Sequence, residues 1–341
     1  MLELQPLDAV GPARWDAFVA RHPAGTVFHL AAWAQVMARA YGHKTHFTAV
    51  VRGGEIAGVL PLVEIKSRLF GHAMISNAFC VAGGPIAADE EARLALLKEA
   101  ERLGRASGAA YVELRDTAGA EGWRTKDDLY AGFEREMDAD EAKNLLQIPR
   151  KQRAVVRKAI EGPFRVTTDK DVDTFFALYA RTVRDHGTPV FPKRFFQAIL
   201  DALPDNADIL TIWKDDKPLS SVLSYYFRDR VYPYYTGSDL EARNAGTNDL
   251  MYWKLMRHAV ARGCKVFDFG RSKVETGPYA FKKNWGFEPR PIAHQYMLIT
   301  RDTLPNLNPT NPRYAKLIEV WRKLPLPVAN FVSQFISRNL G

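Results

Sequence analysis

The chain of 341 residues contains one short pattern twice, and this repeat constrains its fold more than any other feature. A helical segment ends at Gly108 and precedes the strand-like residues 111–114, Tyr-Val-Glu-Leu. A second helical segment ends at Gly263 and precedes residues 266–269, Val-Phe-Asp-Phe. The two glycines lie about 155 residues apart. A recurring order of helix, glycine and strand indicates a duplicated domain.

Each half also contains a predicted hairpin before its repeated helix. Residues 45–66 read as two strands around Gly53-Gly54, and residues 208–227 read as two strands around Asp215-Asp216. Apolar, β-branched runs on both sides of such turns are typical of β-hairpins. The length allows two cores of about 150 residues each. We therefore expect an α/β protein of two domains, each a mixed sheet flanked by helices.

Charge and cysteine content restrict the class of protein. The formal net charge is +8 and the pI is about 9.3, which favours anionic partners such as phosphates, nucleic acid or an acidic membrane surface. Cys80 and Cys264 have neither disulfide-framework nor metal-ligand spacing. Residues 1–15 lack the apolar core of a signal peptide, and no run reaches the roughly 18 apolar residues of a membrane span. These features predict a reduced, cytoplasmic protein.

The segment from Phe267 to Phe287 gathers cations and aromatic side chains directly after a predicted buried strand. The cations are Arg271, Lys273, Lys282 and Lys283, and they alternate with Tyr279, Phe281, Trp285 and Phe287. Fixed cations stabilise negative charge on a bound ligand or on an oxygen during a reaction. An aromatic floor can hold an ammonium or stack on a base. A solvated surface charge is the simpler interpretation of either lysine alone, but the cluster favours a functional role for at least one cation.

A second candidate is the turn at residues 243–248, which follows a predicted strand and begins a helix. Arg243, Asn244, Gly246 and Asn248 lie in this turn, and Tyr235 and Ser238 end the strand before it. Unsatisfied amides and the helix dipole attract anionic oxygen to such a helix start. Plain capping by Thr247 or Asn248 explains the pattern equally well.

General bases are harder to assign from the sequence. Asp268 alternates with inward Phe267 and Phe269, so it is a candidate base, although a strand carboxylate often pairs with an arginine. His186 precedes a proline-containing loop and could move a proton near neutral pH, but a capping histidine is the simpler interpretation. Positioning alone often accounts for much of the catalysis of acyl transfer, so a dedicated base is not required.

Two further segments are basic or amphipathic. Residues 150–158 contain five cations and no acid, which is typical of a solvated helix but would also suit a groove that binds an anion. Near the end of the chain, an apolar stripe is flanked by Arg322, Lys323 and Arg338; the stripe consists of Val328, Phe331, Val332, Phe335 and Ile336. Packing against the protein or a second subunit is the simpler interpretation, and an interfacial membrane helix is the alternative.

The turn at Arg243-x-x-Gly246-x-Asn248 resembles the acyl-donor pyrophosphate loop of the GNAT acetyltransferases, with Asn248 in place of a small residue. The duplicated halves and the FDFGRS…FKKNWG stretch resemble the FemAB-like proteins over residues 10–300. IPRKQRAVVRK, FDFGRSKVETGPYAFKKNWGFEP and WRKLPLPVAN are similar to the subgroup associated with exosortase (PEP-CTERM) and exopolysaccharide systems.

This resemblance implies two GNAT-like domains, with activity expected from the second. FemAB proteins transfer an amino acid from aminoacyl-tRNA to an amine of a peptidoglycan precursor, and more distant relatives use other acyl donors. The expected domains are therefore residues 1–148, a basic connecting segment 149–162, residues 163–300 with the active site, and a C-terminal helical extension at 301–341.

The sequence thus predicts a FemAB-like N-acyl or aminoacyl transferase acting on an amine of a cell-envelope precursor. The alternatives are an acyl-CoA-dependent N-acyltransferase and a non-catalytic basic scaffold for anionic glycan or membrane. No tightly bound cofactor is expected; aminoacyl-tRNA or acyl-CoA is the co-substrate, and the acceptor is anionic or glycan-linked. Contact with the inner membrane or self-association through the C-terminal helix is the further expectation.

Lys282, Lys283 and Asp268 are the catalytic candidates. The substrate-binding candidates are Arg150, Lys151, His186, Tyr235, Ser238, Arg243, Asn244, Gly246, Asn248, Arg271, Ser272, Lys273, Tyr279, Phe281 and Trp285.

Overall fold

The computed structural model describes residues 1–67, 70–305 and 312–340. The chain divides into two compact units. The first contains Met1–Asp128, Ile292–Asn308 and Phe335–Gly341, and the second contains Leu129–Pro291 and Pro309–Gln334.

Each unit is built on one sheet. The strands are β1 (Leu2–Pro6), β2 (Lys44–Arg52), β3 (Glu55–Ser67), β4 (Gly71–Ser76), β5 (Ile86–Ala87), β6 (Tyr111–Arg115), β7 (Arg124–Lys126), β8 (Tyr130–Glu136), β9 (Phe164–Asp169), β10 (Ala207–Lys214), β11 (Lys217–Phe227), β12 (Arg230–Ser238), β13 (Val266–Lys273), β14 (Pro289–Pro291) and β15 (His294–Leu298). The first sheet has the order β1-β2-β3-β4-β6-β15-β7, with β5 beside β3. The second has the order β14-β8-β13-β12-β11-β10-β9.

Helices connect these strands, and a 3-10 helix lies at Val27–His29. The α-helices are α1 (Leu7–Val10), α2 (Pro12–Arg21), α3 (Ala32–Tyr41), α4 (Glu90–Ser107), α5 (Glu141–Gln147), α6 (Arg150–Ile160), α7 (Val172–Asp185), α8 (Lys193–Ala202), α9 (Ala242–Ala245), α10 (Thr247–Ala261), α11 (Gly277–Asn284), α12 (Pro312–Lys323) and α13 (Leu326–Ser337). Helix α4 illustrates how the sequence sets its ends. Asp89 accepts a hydrogen bond from the amide of Ala92, and Gly108 ends the helix at a φ of 72°.

The two sheets repeat one plan, which confirms the predicted duplication. In the first unit β4 and β6 pair in parallel, and the connection between them contains α4. In the second unit β12 and β13 pair in parallel, and the connection between them contains α10. An antiparallel meander precedes each parallel pair, β2-β3-β4 in one sheet and β10-β11-β12 in the other. The predicted class of two mixed sheets flanked by helices is therefore observed.

Each sheet takes its next strand from a distant part of the chain. β6 pairs antiparallel with β15, which comes after the second sheet in sequence. β13 pairs antiparallel with β8, which comes before it. The compact units therefore differ from the predicted domains 1–148 and 163–300, which placed β8 in the first domain and β15 in the second. The alternation of apolar residues in a strand indicates its buried face but not the sheet that it joins.

The C-terminal extension is helical, as predicted. Val328, Phe331 and Phe335 of the predicted apolar stripe are 45%, 63% and 62% exposed. Ser333, on the same helix α13, is buried and accepts a hydrogen bond from the amide of Val190 at 2.9 Å. Within the described residues, no helix has the length and apolar character that crossing a bilayer requires.

We predict that Gly237→Ala destabilises the protein by about 2 kcal/mol, because α7 packs directly on β12. A Cβ at position 237 would overlap the backbone of Leu178 and Tyr179. Urea unfolding measures the loss. Gly277→Ala is the control, since a Cβ there meets no atom within 4 Å. Equal stabilities of the two variants would contradict this account of the packing.

Candidate active site

An open cleft of about 470 Å³ lies in the second unit, where β12 ends and α10 begins. Five of the predicted site residues line it: His186, Ser238, Arg243, Asn248 and Phe281. The other lining residues are Gln152, Thr182, Asp185, Asp239, Leu240, Ala242 and Asp249. The cleft thus receives side chains from α6, α7, β12, α9, α10 and α11.

Strand β12 ends at the cleft, and it pairs with β13 only near its start. Their parallel pairing covers Arg230 with Val266 and Val231 with Phe267, although β12 continues to Ser238 and β13 to Lys273. The ladder between β13 and β8 is also irregular, since its register shifts between Asp268 and Arg271. Gly270, with a φ of 66°, occupies this bulge.

Helix α10 begins at the cleft without a side-chain cap. Its N-cap is Gly246, which has a φ of 69°, and no side chain makes a capping hydrogen bond. The interpretation that Thr247 or Asn248 caps the helix is therefore wrong. Ser220 hydrogen-bonds both side chains instead, Thr247 Oγ1 at 2.7 Å and Asn248 Oδ1 at 2.9 Å. The positive end of the helix dipole thus lies at the cleft without a side-chain cap.

Three carboxylates line the cleft, and two of them have cationic partners. Asp239 receives Arg181 at 2.6 Å and Lys217 at 3.1 Å, and its pKa is lowered by the amide of Glu241 and by Lys217. Asp185 pairs with Arg184 at 2.6 Å. The sequence analysis selected neither of these two carboxylates as a site residue.

The third carboxylate, Asp249, is held by uncharged donors. Trp285 Nε1 donates to its Oδ1 at 2.8 Å, and Gln152 Nε2 donates to the same oxygen. Burial raises the pKa of Asp249, and the two side-chain hydrogen bonds partly oppose that rise. An acid in the first turn of a helix is ordinary, so the sequence contained no signal that singled out Asp249.

Lys282, the first catalytic candidate, does not line the cleft. It is 8% exposed, and its Nζ donates to the carbonyls of Gly270 at 3.2 Å and Arg271 at 3.1 Å. The rings of Phe133 and Phe269 lie 5.4 and 5.5 Å from the ammonium. Burial lowers the pKa of Lys282 to about 7, although the nearby Asp268 acts in the opposite direction. Lys282 therefore braces the bulge of β13.

Asp268 lies on the other side of the same bulge. Its Oδ1 accepts a hydrogen bond from the amide of Gly270 at 2.9 Å. Burial raises the pKa of Asp268 to about 6, against the effect of that hydrogen bond. A group with this pKa is suited to proton transfer near neutrality, but Asp268 is not among the residues that line the cleft.

The remaining cations of the predicted cluster do not surround the cleft. Arg271 lies over the ring of Tyr130 at 4.3 Å, and Lys283 is exposed over Tyr279 at 5.9 Å. Lys273 is half-buried at the end of β13. None of the three lines the cleft. The cluster spans a strand end, a turn and a helix, so cations that are close in sequence point in different directions in the fold.

The other predicted residues fall into buried and exposed groups. Trp285 is fully buried, and Ser272 is 6% exposed. Tyr235 is 9% exposed among the rings of Tyr179 and Phe196, so it does not reach the cleft. Gly246 is buried against α6, and the exposed positions are Arg150, Lys151, His186 and Asn244. His186 ends α7, as the capping interpretation expected.

Residues 143–283 match the family model described as "Acetyltransferase (GNAT) domain". The matched segment contains α10 and all twelve residues that line the cleft. The sheet plan of this domain recurs in the first unit. The chain has the tandem GNAT fold. No curated protein matches the sequence.

Solved structures share this tandem fold along most of the chain. The crystal structure of FemX matches with a TM-score of 0.71 and 20% identity, over 93% of this chain and 100% of that chain. The C-terminal domain of a putative lysylphosphatidylglycerol synthetase from Agrobacterium fabrum gives a TM-score of 0.58 at 14% identity, over 85% of this chain and 91% of its own. A tandem GNAT protein from the clavulanic acid biosynthesis pathway matches with a TM-score of 0.56 and 14% identity, over 89% of this chain and 100% of that chain. These likenesses establish the fold.

We predict that burial of Lys282 makes stability depend on pH. Its pKa is about 7 in the folded protein, against 10.5 in a model peptide, so the unfolded chain binds more protons between these values. The free energy of unfolding of the wild type should therefore rise from pH 7 to pH 10 relative to that of Lys282→Met, by at most about 1.4 kcal/mol per pH unit.

Urea unfolding at pH 7, 8.5 and 10 measures this difference. Lys283→Met is the matched control, because it removes an exposed lysine from the same helix and should retain the pH dependence of the wild type. A constant difference between wild type and Lys282→Met across this range would contradict the prediction.

Proposed function

We propose that the second unit transfers an acyl or aminoacyl group to an amine of a cell-envelope precursor, with aminoacyl-tRNA as the favoured donor. The observation that carries this proposal is the open cleft at the uncapped start of α10, inside the GNAT domain. The proposal agrees with the type of domain, with the positive net charge of the chain and with the chemistry of the cleft.

The start of α10 suits a donor that bears negative charge. Arg243 is exposed at the cleft, and the dipole of α10 adds partial positive charge beside it. The carbonyl oxygen of an ester becomes more negative as an amine attacks it. Donors already in position, such as the first amides of α10, stabilise that oxygen without reorganisation of solvent.

Helix α6 supports a polyanionic donor. Four cations, Arg150, Arg153, Arg157 and Lys158, line a groove of about 520 Å³ on this helix together with one acid, Glu161. The same helix reaches the cleft through Gln152, so a polyanion on α6 stays within about 10 Å of the cleft, one helix diameter. Nucleic acid gains much of its affinity from such cations, through the release of counterions.

The proposed acceptor is inferred from similarity to other proteins and not from the geometry of the cleft. The fold matches FemX, and it also matches a protein named as a lysylphosphatidylglycerol synthetase, whose named product is an aminoacylated lipid. The resemblance to FemAB-like proteins and to their exosortase-associated subgroup adds peptidoglycan and exopolysaccharide precursors as acceptors. The amine acceptor follows from the resemblance to FemAB-like proteins alone, because phosphatidylglycerol carries hydroxyl groups and no amine.

An acyl-CoA donor is the second candidate, because the matched family model is that of an acetyltransferase domain. Transfer from aminoacyl-tRNA and from acyl-CoA is measured in parallel by mass spectrometry of an amine-bearing peptidoglycan pentapeptide and an amino sugar. Amide formation with aminoacyl-tRNA supports the proposal, and formation with acyl-CoA alone supports the second candidate. No transfer from either donor to either acceptor would overturn both.

We predict that the double variant Arg157→Gln, Lys158→Gln weakens use of aminoacyl-tRNA at least tenfold at 0.15 M salt. Two phosphate contacts are lost, so the slope of log affinity against log salt should fall by about 2. Transfer from acyl-CoA, if present, should change little. The matched control is Lys193→Gln, Arg194→Gln, which removes two exposed cations of α8 outside the groove. Equal losses in both double variants would contradict a role for α6.

A further inference from the structure

Asp249 differs from the other acids of the cleft in its charge balance. Asp185 and Asp239 each pair with an arginine, and Asp239 also receives a lysine. Both side-chain hydrogen bonds of Asp249 come from the neutral groups of Trp285 and Gln152, and both end on Oδ1. Within the part of the chain that the structure describes, Asp249 forms no ion pair. Its negative charge at the wall of the open cleft therefore faces the partial positive charge of the start of α10 but no cationic side-chain partner.

The position of this carboxylate is fixed from two other helices. Trp285 is fully buried and contacts Tyr252 and Phe281, so its indole N–H is held in place. Gln152 approaches from α6. A carboxylate whose one oxygen is held in this way leaves Oδ2 for a ligand in the cleft. Phe281, which also lines the cleft, adds an aromatic face. A fixed carboxylate beside an aromatic ring is a suitable site for an ammonium group.

We propose that Asp249 binds the amine of the acceptor and takes its proton during acyl transfer. This inference rests on the proposed function. The acceptor nitrogen forms a bond to the acyl carbon, and the bond from that carbon to the ester oxygen, or to the thioester sulfur, breaks. The bound ammonium first releases one proton to water. A second proton leaves the nitrogen for Asp249 as the new bond forms and then passes to the departing oxygen or sulfur, so that Asp249 returns to its carboxylate form. No further reactant is needed.

The environment of Asp249 agrees with both roles. Burial raises its pKa, so it accepts a proton more readily than an exposed aspartate does. The other charged or titratable groups around the cleft are Asp185, His186, Asp239 and Arg243. Asp185 and Asp239 have cationic partners, so Asp249 is the lining carboxylate whose charge is available to a cationic ligand group.

The alternative explanation is that Asp249 only links α6, α10 and α11. Asp249→Asn separates the two explanations, because the amide oxygen of asparagine can still accept hydrogen bonds from Trp285 and Gln152. A linking role survives this change, whereas binding of an ammonium group requires the negative charge. The matched control is Asp201→Asn, which removes one exposed carboxylate from α8 outside the cleft.

Binding is tested without any reaction, by calorimetry with Nα-acetyl-lysine methylamide and its uncharged analogue Nα-acetyl-norleucine methylamide at pH 7.5. We expect the lysine probe to bind the wild type and Asp201→Asn equally. It should bind Asp249→Asn at least tenfold more weakly, and the norleucine probe should bind all three proteins at that weaker level. The proposal is overturned if Asp249→Asn binds the lysine probe as the wild type does, or if the wild type does not distinguish the two probes.

The transfer assay separates this inference from the proposed function. With an active donor, Asp249→Asn should lose at least 100-fold in kcat and should still bind the donor with the affinity of the wild type. Full activity of Asp249→Asn would overturn the inference and leave the proposed function standing. Absence of transfer by the wild type would overturn the proposed function, and preferential binding of the lysine probe would then still support Asp249 as an amine site.

Discussion

The early separation of β12 and β13 is the constraint on which the bulge of β13 and its buried polar partners depend. After two parallel pairs the strands part, and backbone groups of β13 lose the partners that a continuous ladder would supply. Lys282 donates to the carbonyls of Gly270 and Arg271, and Asp268 accepts from the amide of Gly270. Side chains thus satisfy the bulge, and the gap between the strands persists in the folded state.

Burying the ammonium of Lys282 to satisfy the backbone carbonyls of the bulge costs stability. A lysine that is 8% exposed loses most of its hydration, which is why burial moves its pKa to about 7. The two rings beside its ammonium return part of that loss. Lys282 therefore stabilises the bulge of β13 from a buried position outside the cleft.

The sequence predicted the duplicated plan because hairpins, helix ends and glycines are encoded locally. It placed Gly246 and Asn248 correctly at the start of α10, since turn residues act over a few positions, but Arg243 lies in the short helix α9 before it. It did not predict the exchange of β8 and β15, because strand partners are chosen by packing between distant segments. It also missed Asp249, whose distinguishing partners Trp285 and Gln152 lie 36 and 97 residues away. Local sequence patterns therefore predict helices and strands, whereas the surroundings of a side chain can be read only from the folded structure.

The predicted cluster of cations shows the same limit of sequence analysis, because here residues that are close in sequence do not share one environment in the fold. Proximity in sequence suggested one positive surface, but the structure separates the charges between different surroundings. On α6 a period of 3.6 residues places Arg150, Arg153 and Arg157 on one face and Gln152 on nearly the opposite one. The groove on this helix is lined by these three arginines, Lys158 and Glu161, whereas Gln152 reaches the cleft and contacts Asp249. Helix α6 can therefore hold the phosphates of a donor on one face while its other face supports the carboxylate that we propose for the amine acceptor.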